Sequence, residues 1–212
     1  MEHESSTANP SEEQSIHPKR RTVVVRDMCY IALFAAIIAV CAYIAIPVGP
    51  ISVSLQTLAV CLAAGLLGLK RGILTILVYI MLGVCGIPVF TNGRNFYALI
   101  AGPSAGYVVG FFLTALLVGI TTDNLHKIGD RAKNKTAGQI AQLVLLAIAM
   151  AIGILVCYLF GTLWYAASAL GGITAENLYK GATVCVIPFL LPDLVKIIVA
   201  AILVNRLKRF VK

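Results

Sequence analysis

The chain has 212 residues, of which 59% are hydrophobic and only 12% charged, with a formal net charge of +8. Soluble domains carry roughly 25% charged residues and alternate apolar with polar positions along each element, so this composition excludes a water-soluble fold. The basic balance could suggest nucleic acid, but the Lys and Arg residues fall in short clusters between apolar runs and form no stripe with base-reading side chains, which excludes a nucleic-acid binder.

In chain order, residues 1–26 are expected to be a disordered cytoplasmic tail, with four Glu followed by Lys19, Arg20, Arg21 and Arg26. Its first 18 residues lack the apolar core of a signal peptide. Residues 27–212 are predicted to be one all-α integral membrane domain of six transmembrane helices, since the apolar runs approach the ~20 residues that cross a bilayer core. The first span covers 27–46 and stops at the helix-breaking cluster Pro47-Val48-Gly49-Pro50. It carries two small-xxx-small pairs, Ala32 with Ala36 and Ala35 with Ala39, of the kind that let another helix approach closely.

The second and third spans, 55–69 and 72–85, are short for a straight crossing. Non-helical segments are therefore expected to complete them at membrane depth, which is tolerated only beside protein or a polar cavity. The stretches Gly86 to Tyr97 and Gly102 to Tyr107 are the most polar and glycine-rich outside the basic loops, and they point to a ligand cavity. The fourth span is 104–121, a basic loop follows at 123–135, and the fifth span, 136–164, ends on Trp164 and Tyr165, which suit a membrane interface. An outer loop, 166–182, carries Glu176 and Lys180, and the sixth span is 183–207.

Alternating sides puts both termini and the loops at 70–71 and 123–135 in the cytoplasm. Fourteen of the 17 Lys and Arg residues are then inside, which is the positive-inside pattern. The exceptions are Arg94 and Lys180, outside, and Lys196, within a span.

Asp193 and Lys196 in the sixth span would each cost about 2.5 to 3.5 kcal/mol at mid-membrane, and their i, i+3 spacing lets them pair on one helix face. They form either a ligand site or a lock between helices. Pro188 and Pro192 just before them can break or start a helix and open backbone groups to a ligand. Arg94, with Asn92, Asn95 and Tyr97, offers donors to an anionic or amide-bearing ligand, or is a solvated loop arginine. Gln56 is a buried polar group that acts as helix glue or as a pocket wall.

No G-x-x-x-x-G-K-[ST], H-E-x-x-H or G-x-S-x-G sequence occurs, so neither ATP hydrolysis by a phosphate loop nor an intramembrane hydrolase is expected. The chain reads as a non-enzyme without cofactor or metal. Six dispersed cysteines lack both Cys-x-x-Cys spacing and nearby histidines, and read as buried small hydrophobes.

Four segments in order, Pro50-Ile51-Ser52-Val53-Ser54-Leu55-Gln56-Thr57-Leu58, Gly86-Ile87-Pro88-Val89-Phe90, Gly102-Pro103-Ser104-Ala105-Gly106-Tyr107-Val108-Val109-Gly110-Phe111 and Pro192-Asp193-Leu194-Val195-Lys196, resemble the BioY family. These are biotin-specific S components of energy-coupling factor (ECF) transporters. The resemblance spans about residues 27–207. It implies a six-helix subunit of a prokaryotic plasma membrane that captures biotin from outside and works with a transmembrane T component and two cytoplasmic ATPases. It also implies that Ala32 and Ala36 face the T component and that Asp193 and Lys196 line the biotin pocket, with Gln56, Arg94, Asn95, Tyr97, Ser104 and Tyr107 as further candidates. The family commonly has Gly-Pro-Thr-Gly-Gly-Tyr where this chain has Ser104 and Ala105. An S component for another vitamin and a stand-alone secondary transporter remain as alternatives, although no internal repeat of the kind secondary transporters carry is visible.

Overall fold

The computed structural model describes residues 17–48, 50–129 and 135–211, without the side chains of 17–23, 126–129, 135–137 and 209–211. Residues 1–16 of the tail and the middle of the basic loop lie outside the described residues. Residues 17–26, expected to belong to the tail, lie in the first turns of helix α1 (His17–Tyr43).

The helix ends before Pro47, as expected, but the next element is an antiparallel hairpin. Strands β1 (Ala45–Val48) and β2 (Ile51–Ser54) pair in register from Ala45 with Ser54 to Val48 with Ile51. The alternation Ile51-Ser52-Val53-Ser54 is the period-two signal of a strand. Ile51 is buried while Ser52 and Ser54 are part-exposed. Leu55 N–H donates to Ile44 O at 3.1 Å and closes the base of the hairpin.

Helix α2 (Gln56–Val84) contains the second and third expected spans as two arms. Gly68 sits at φ 77° and ψ −171°, a conformation open to glycine because it lacks a Cβ. Here the chain folds back. A Cβ on Gly72 would lie 3.1 Å from the Ala64 Cα, whereas eight residues of straight helix span about 12 Å. The reversal is capped from helix α4 (Ala105–Gly129), where Asp123 Oδ2 accepts from Leu69 N–H at 3.3 Å.

Helix α5 (Lys135–Ala169) packs along α4, and this is the most extensive helix pairing. Small residues allow it. A Cβ on Gly110 would lie 2.5 Å from the Cys157 Cα, so the two backbones are in contact. The Thr114 hydroxyl shares its proton between Gly110 O at 2.8 Å and Gly153 O at 2.7 Å, tying the same seam.

Two segments expected as loop contain helices. Helix α3 (Phe96–Ile100) is capped by Asn95, whose side chain accepts from Ala98 N–H at 2.9 Å. Helix α6 (Ala175–Cys185) is capped by Thr174, which accepts from Asn177 N–H at 3.2 Å, and carries the i, i+4 pair Glu176 and Lys180 at 2.6 Å. Helix α7 (Ile187–Val211) completes the bundle. Pro192 does not break it. Pro188 falls in the first turn, where a missing N–H costs nothing, and Pro192 one turn later leaves the helix continuous.

Among the described residues, five helices are long and apolar enough to cross a membrane. Along α5 a stripe of Ile140, Val144, Ile148, Ile152, Leu155 and Leu159 is exposed. In water such a stripe would drive aggregation, whereas against acyl chains it is the expected outer face of a multi-pass membrane protein. The core lies between α2, α4, α5 and α7, and α1 lies at the edge. Ala35 is buried in the bundle, but Ala32 and Ala36 are exposed on the outer side of α1.

Candidate functional site

A cavity opens at the end of the bundle where α2, α4 and α7 begin. Its enclosed space amounts to about 60 Å³, and the space out to its mouth, open solvent included, to about 690 Å³. The hairpin, the 90–94 loop and α3 surround the entrance, and Phe90, Phe111, Phe189 and Tyr107 supply aromatic walls. Tyr107 and Phe189 have ring centroids 6.4 Å apart.

Asp193 and Lys196 lie on its wall, 2% and 8% exposed, with Lys196 Nζ 2.6 Å from Asp193 Oδ1. The pair is not isolated. Lys196 also donates to Ser54 O at 2.7 Å and to Thr57 Oγ1 at 3.3 Å. Because an ammonium can only donate, Thr57 accepts from it and donates onward to Asp193 Oδ1 at 3.1 Å. Tyr158 from α5 donates to Asp193 Oδ2 at 2.6 Å. All three ammonium protons are thus engaged, Oδ1 is filled, and Oδ2 keeps one acceptor position. The ring ties α7 to α2, α5 and the end of β2, which explains how two ions survive burial.

Arg94 lines another wall of the same cavity. Among the described residues no carboxylate pairs with it and no hydrogen bond engages its guanidinium. Nearby, Asn92 Nδ2 donates to Ser52 Oγ at 2.9 Å and clasps the loop to the hairpin.

Gln56 is 2% exposed, lines the cavity and also joins the two arms of α2, since Nε2 donates to Tyr79 Oη at 2.5 Å. Twenty-three residues of straight helix would separate these groups by about 34 Å. Thr91 Oγ1 donates to Gln56 Oε1 at 3.0 Å. The two roles left open for Gln56 are therefore both filled.

Of the eight expected site residues, the fold brings Gln56, Arg94, Ser104, Tyr107, Asp193 and Lys196 onto one cavity. Tyr107 contributes its ring, while its hydroxyl donates to Cys185 O at 3.0 Å. Asn95 and Tyr97 are not on the cavity wall. The Asn95 side chain caps α3, and Tyr97 is 72% exposed on the outer side of that helix. Sequence reasoning missed Thr57, Thr91 and Tyr158. The first two lie within a few residues of a strand or loop end, but nothing local marks Tyr158, which lies far from Asp193 in sequence and meets it only across α5 and α7.

Residues 11–212 match the profile of the BioY family. The chain belongs to this family. It is 31% identical to the biotin transporter BioY of Thermotoga maritima over 87% of this chain and 97% of that one. It is 33% identical to the probable biotin transporter BioY of Pyrococcus horikoshii over 86% and 96% respectively. The fold is also matched in three dimensions. A crystal structure of the S component for biotin from an ECF-type ABC transporter superposes with a TM-score of 0.71, covering 92% of this chain and 95% of the other at 24% identity.

Proposed function

We propose that this chain is the biotin-capturing S component of an ECF transporter in a prokaryotic plasma membrane. One observation carries the proposal: a single cavity joins a closed ring of buried charges, aromatic walls and an arginine that pairs with no carboxylate among the described residues. Biotin matches that combination, having a ureido ring with two N–H donors and one carbonyl, a fused apolar body and a terminal carboxylate. The biotin transporters that this chain matches over nearly their whole length support the same ligand.

In this role Asp193 Oδ2 accepts one ureido N–H, and Arg94 pairs with the valerate carboxylate. Phe90, Phe111, Phe189 and Tyr107 enclose the rings, with Ser104 beside them. Lys196 reaches the ureido carbonyl only by giving up Ser54 O or Thr57. No covalent step and no cofactor is involved. The two arms of α2 count as separate crossings, so the chain crosses six times with both termini in the cytoplasm. A T component docks on the exposed Ala32 and Ala36 face, and two ATPases supply the energy that this chain has no phosphate loop to obtain.

Mass spectrometry of ligand retained by the purified protein tests the substrate; biotin is expected, and another vitamin in its place would redirect the assignment. Cells lacking the T component and ATPases should bind biotin without accumulating it. Leucine at both Ala32 and Ala36 should weaken T-component association and leave biotin affinity unchanged.

A further inference from the structure

Tyr79 is fully buried and absent from the cavity wall, yet its hydroxyl accepts from Gln56, which lines that wall. The Tyr79 hydroxyl lies 3.2 Å from Val89 O, and a carbonyl can only accept. The phenolic proton therefore points to Val89, which leaves an oxygen lone pair facing Gln56. Only the nitrogen end of the Gln56 amide satisfies that lone pair, which fixes Nε2 toward Tyr79 and Oε1 toward Thr91, whose hydroxyl donates to it. Polarity thus runs in one direction through four residues, starting from a backbone carbonyl. A flipped amide would set Oε1 against the Tyr79 lone pair, a conflict that the rotatable Thr91 hydroxyl, able to donate or accept, could not relieve.

We infer that Tyr79 is a specificity-determining positioning residue: by locking the Gln56 amide it holds one uncommitted N–H of Gln56 as a donor for an acceptor atom of the ligand. Among the described residues no partner takes that second Nε2 proton. Without the lock, donor and acceptor would exchange places on the wall as the amide turned. Tyr79 also packs edge-to-face on Phe90, with centroids 5.2 Å apart and planes at 81°. Phenylalanine retains that ring contact, so Tyr79→Phe removes the hydroxyl alone.

The inference rests on biotin as the ligand for its affinity arm and is independent of it for its spectroscopic arm. Protein labelled with ¹⁵N-glutamine should show a Gln56 side-chain amide, assigned by its disappearance in Gln56→Met, with slow proton exchange; in Tyr79→Phe that exchange should become fast. Biotin titrations of the parent, Tyr79→Phe, Gln56→Met and the double variant form a cycle. Tyr79→Phe should weaken biotin by about 2- to 10-fold, the range of one neutral hydrogen bond, and should have no further effect once Gln56 is methionine. Thermal unfolding of each variant without ligand identifies any that fail to fold. An equal loss from Tyr79→Phe in both backgrounds, or a Gln56 amide that exchanges as fast in the parent, would overturn the assignment. A parent protein that does not bind biotin would refute the proposed substrate, while the exchange measurement would still decide whether Tyr79 locks the amide.

Discussion

Two cationic side chains line the same cavity and differ in almost every other respect. Lys196 is 8% exposed, and each of its protons has a partner within the fold, whereas Arg94 is half-buried and engages none among the described residues. Lys196 and Asp193 therefore belong to the framework, whatever part they take in the proposed binding, because losing the charge of one leaves the other buried without its counter-charge. In the proposed role Arg94 meets a ligand carboxylate at little cost to the fold, since it lines the cavity and holds no part of the ring. A charge that is already satisfied shapes a site, and a charge left open selects what enters it.

The largest effect should come from Asp193→Asn. It leaves Lys196 buried without a counter-charge, a loss of about 3 to 5 kcal/mol that thermal unfolding without ligand will register. It should also weaken biotin by roughly 10- to 150-fold through loss of a charge-assisted hydrogen bond. Combining it with Lys196→Met separates the two roles. Stability should return while biotin affinity stays low; recovery of both would make the ring a packing device and move the site to Gln56 and Arg94.

Arg94→Gln should break the comparison from the other side. Biotin affinity is expected to fall by about 10- to 150-fold with the melting temperature of the free protein almost unchanged, because only a ligand carboxylate loses its partner. Biotin methyl ester supplies the control. Its weaker binding should be insensitive to Arg94→Gln, and an equal loss for acid and ester would remove Arg94 from carboxylate recognition.

Thr57→Val keeps shape and deletes the hydroxyl that relays between the two ions. A stability loss of about 0.5 to 1.5 kcal/mol is expected, smaller than for Asp193→Asn because the direct ion pair at 2.6 Å survives. If Thr57→Val were as damaging as Asp193→Asn, the hydroxyl and not the ion pair would be holding the ring. The smallest effect should be that of Ser52→Ala, which loses only the exposed clasp to Asn92 and should leave the melting temperature within the scatter typical of surface changes. A change in the rate of biotin release in this variant would place the hairpin among the elements that govern access.

Much of this protein is fixed by short-range chemistry and is therefore legible along the chain. Uninterrupted apolar runs report membrane helices because acyl chains cannot hydrogen-bond a bare backbone. Asp193 and Lys196 announce a special site because ions are rare at that depth. The caps Asn95 and Thr174 are equally readable signals of helix starts, and reading their segments as loop places Asn95 and Tyr97 in the site when a cap and an exposed face account for them. The features that only tertiary structure decided depend on groups brought together from far apart in sequence. The fold-back at Gly68 carries Tyr79 to Gln56, the crossing of α5 and α7 carries Tyr158 to Asp193, and the end of β2 brings Ser54 O to Lys196. A sequence states which side chains can donate or accept. Which of those capacities remain open to a ligand is settled only when the fold has satisfied the others.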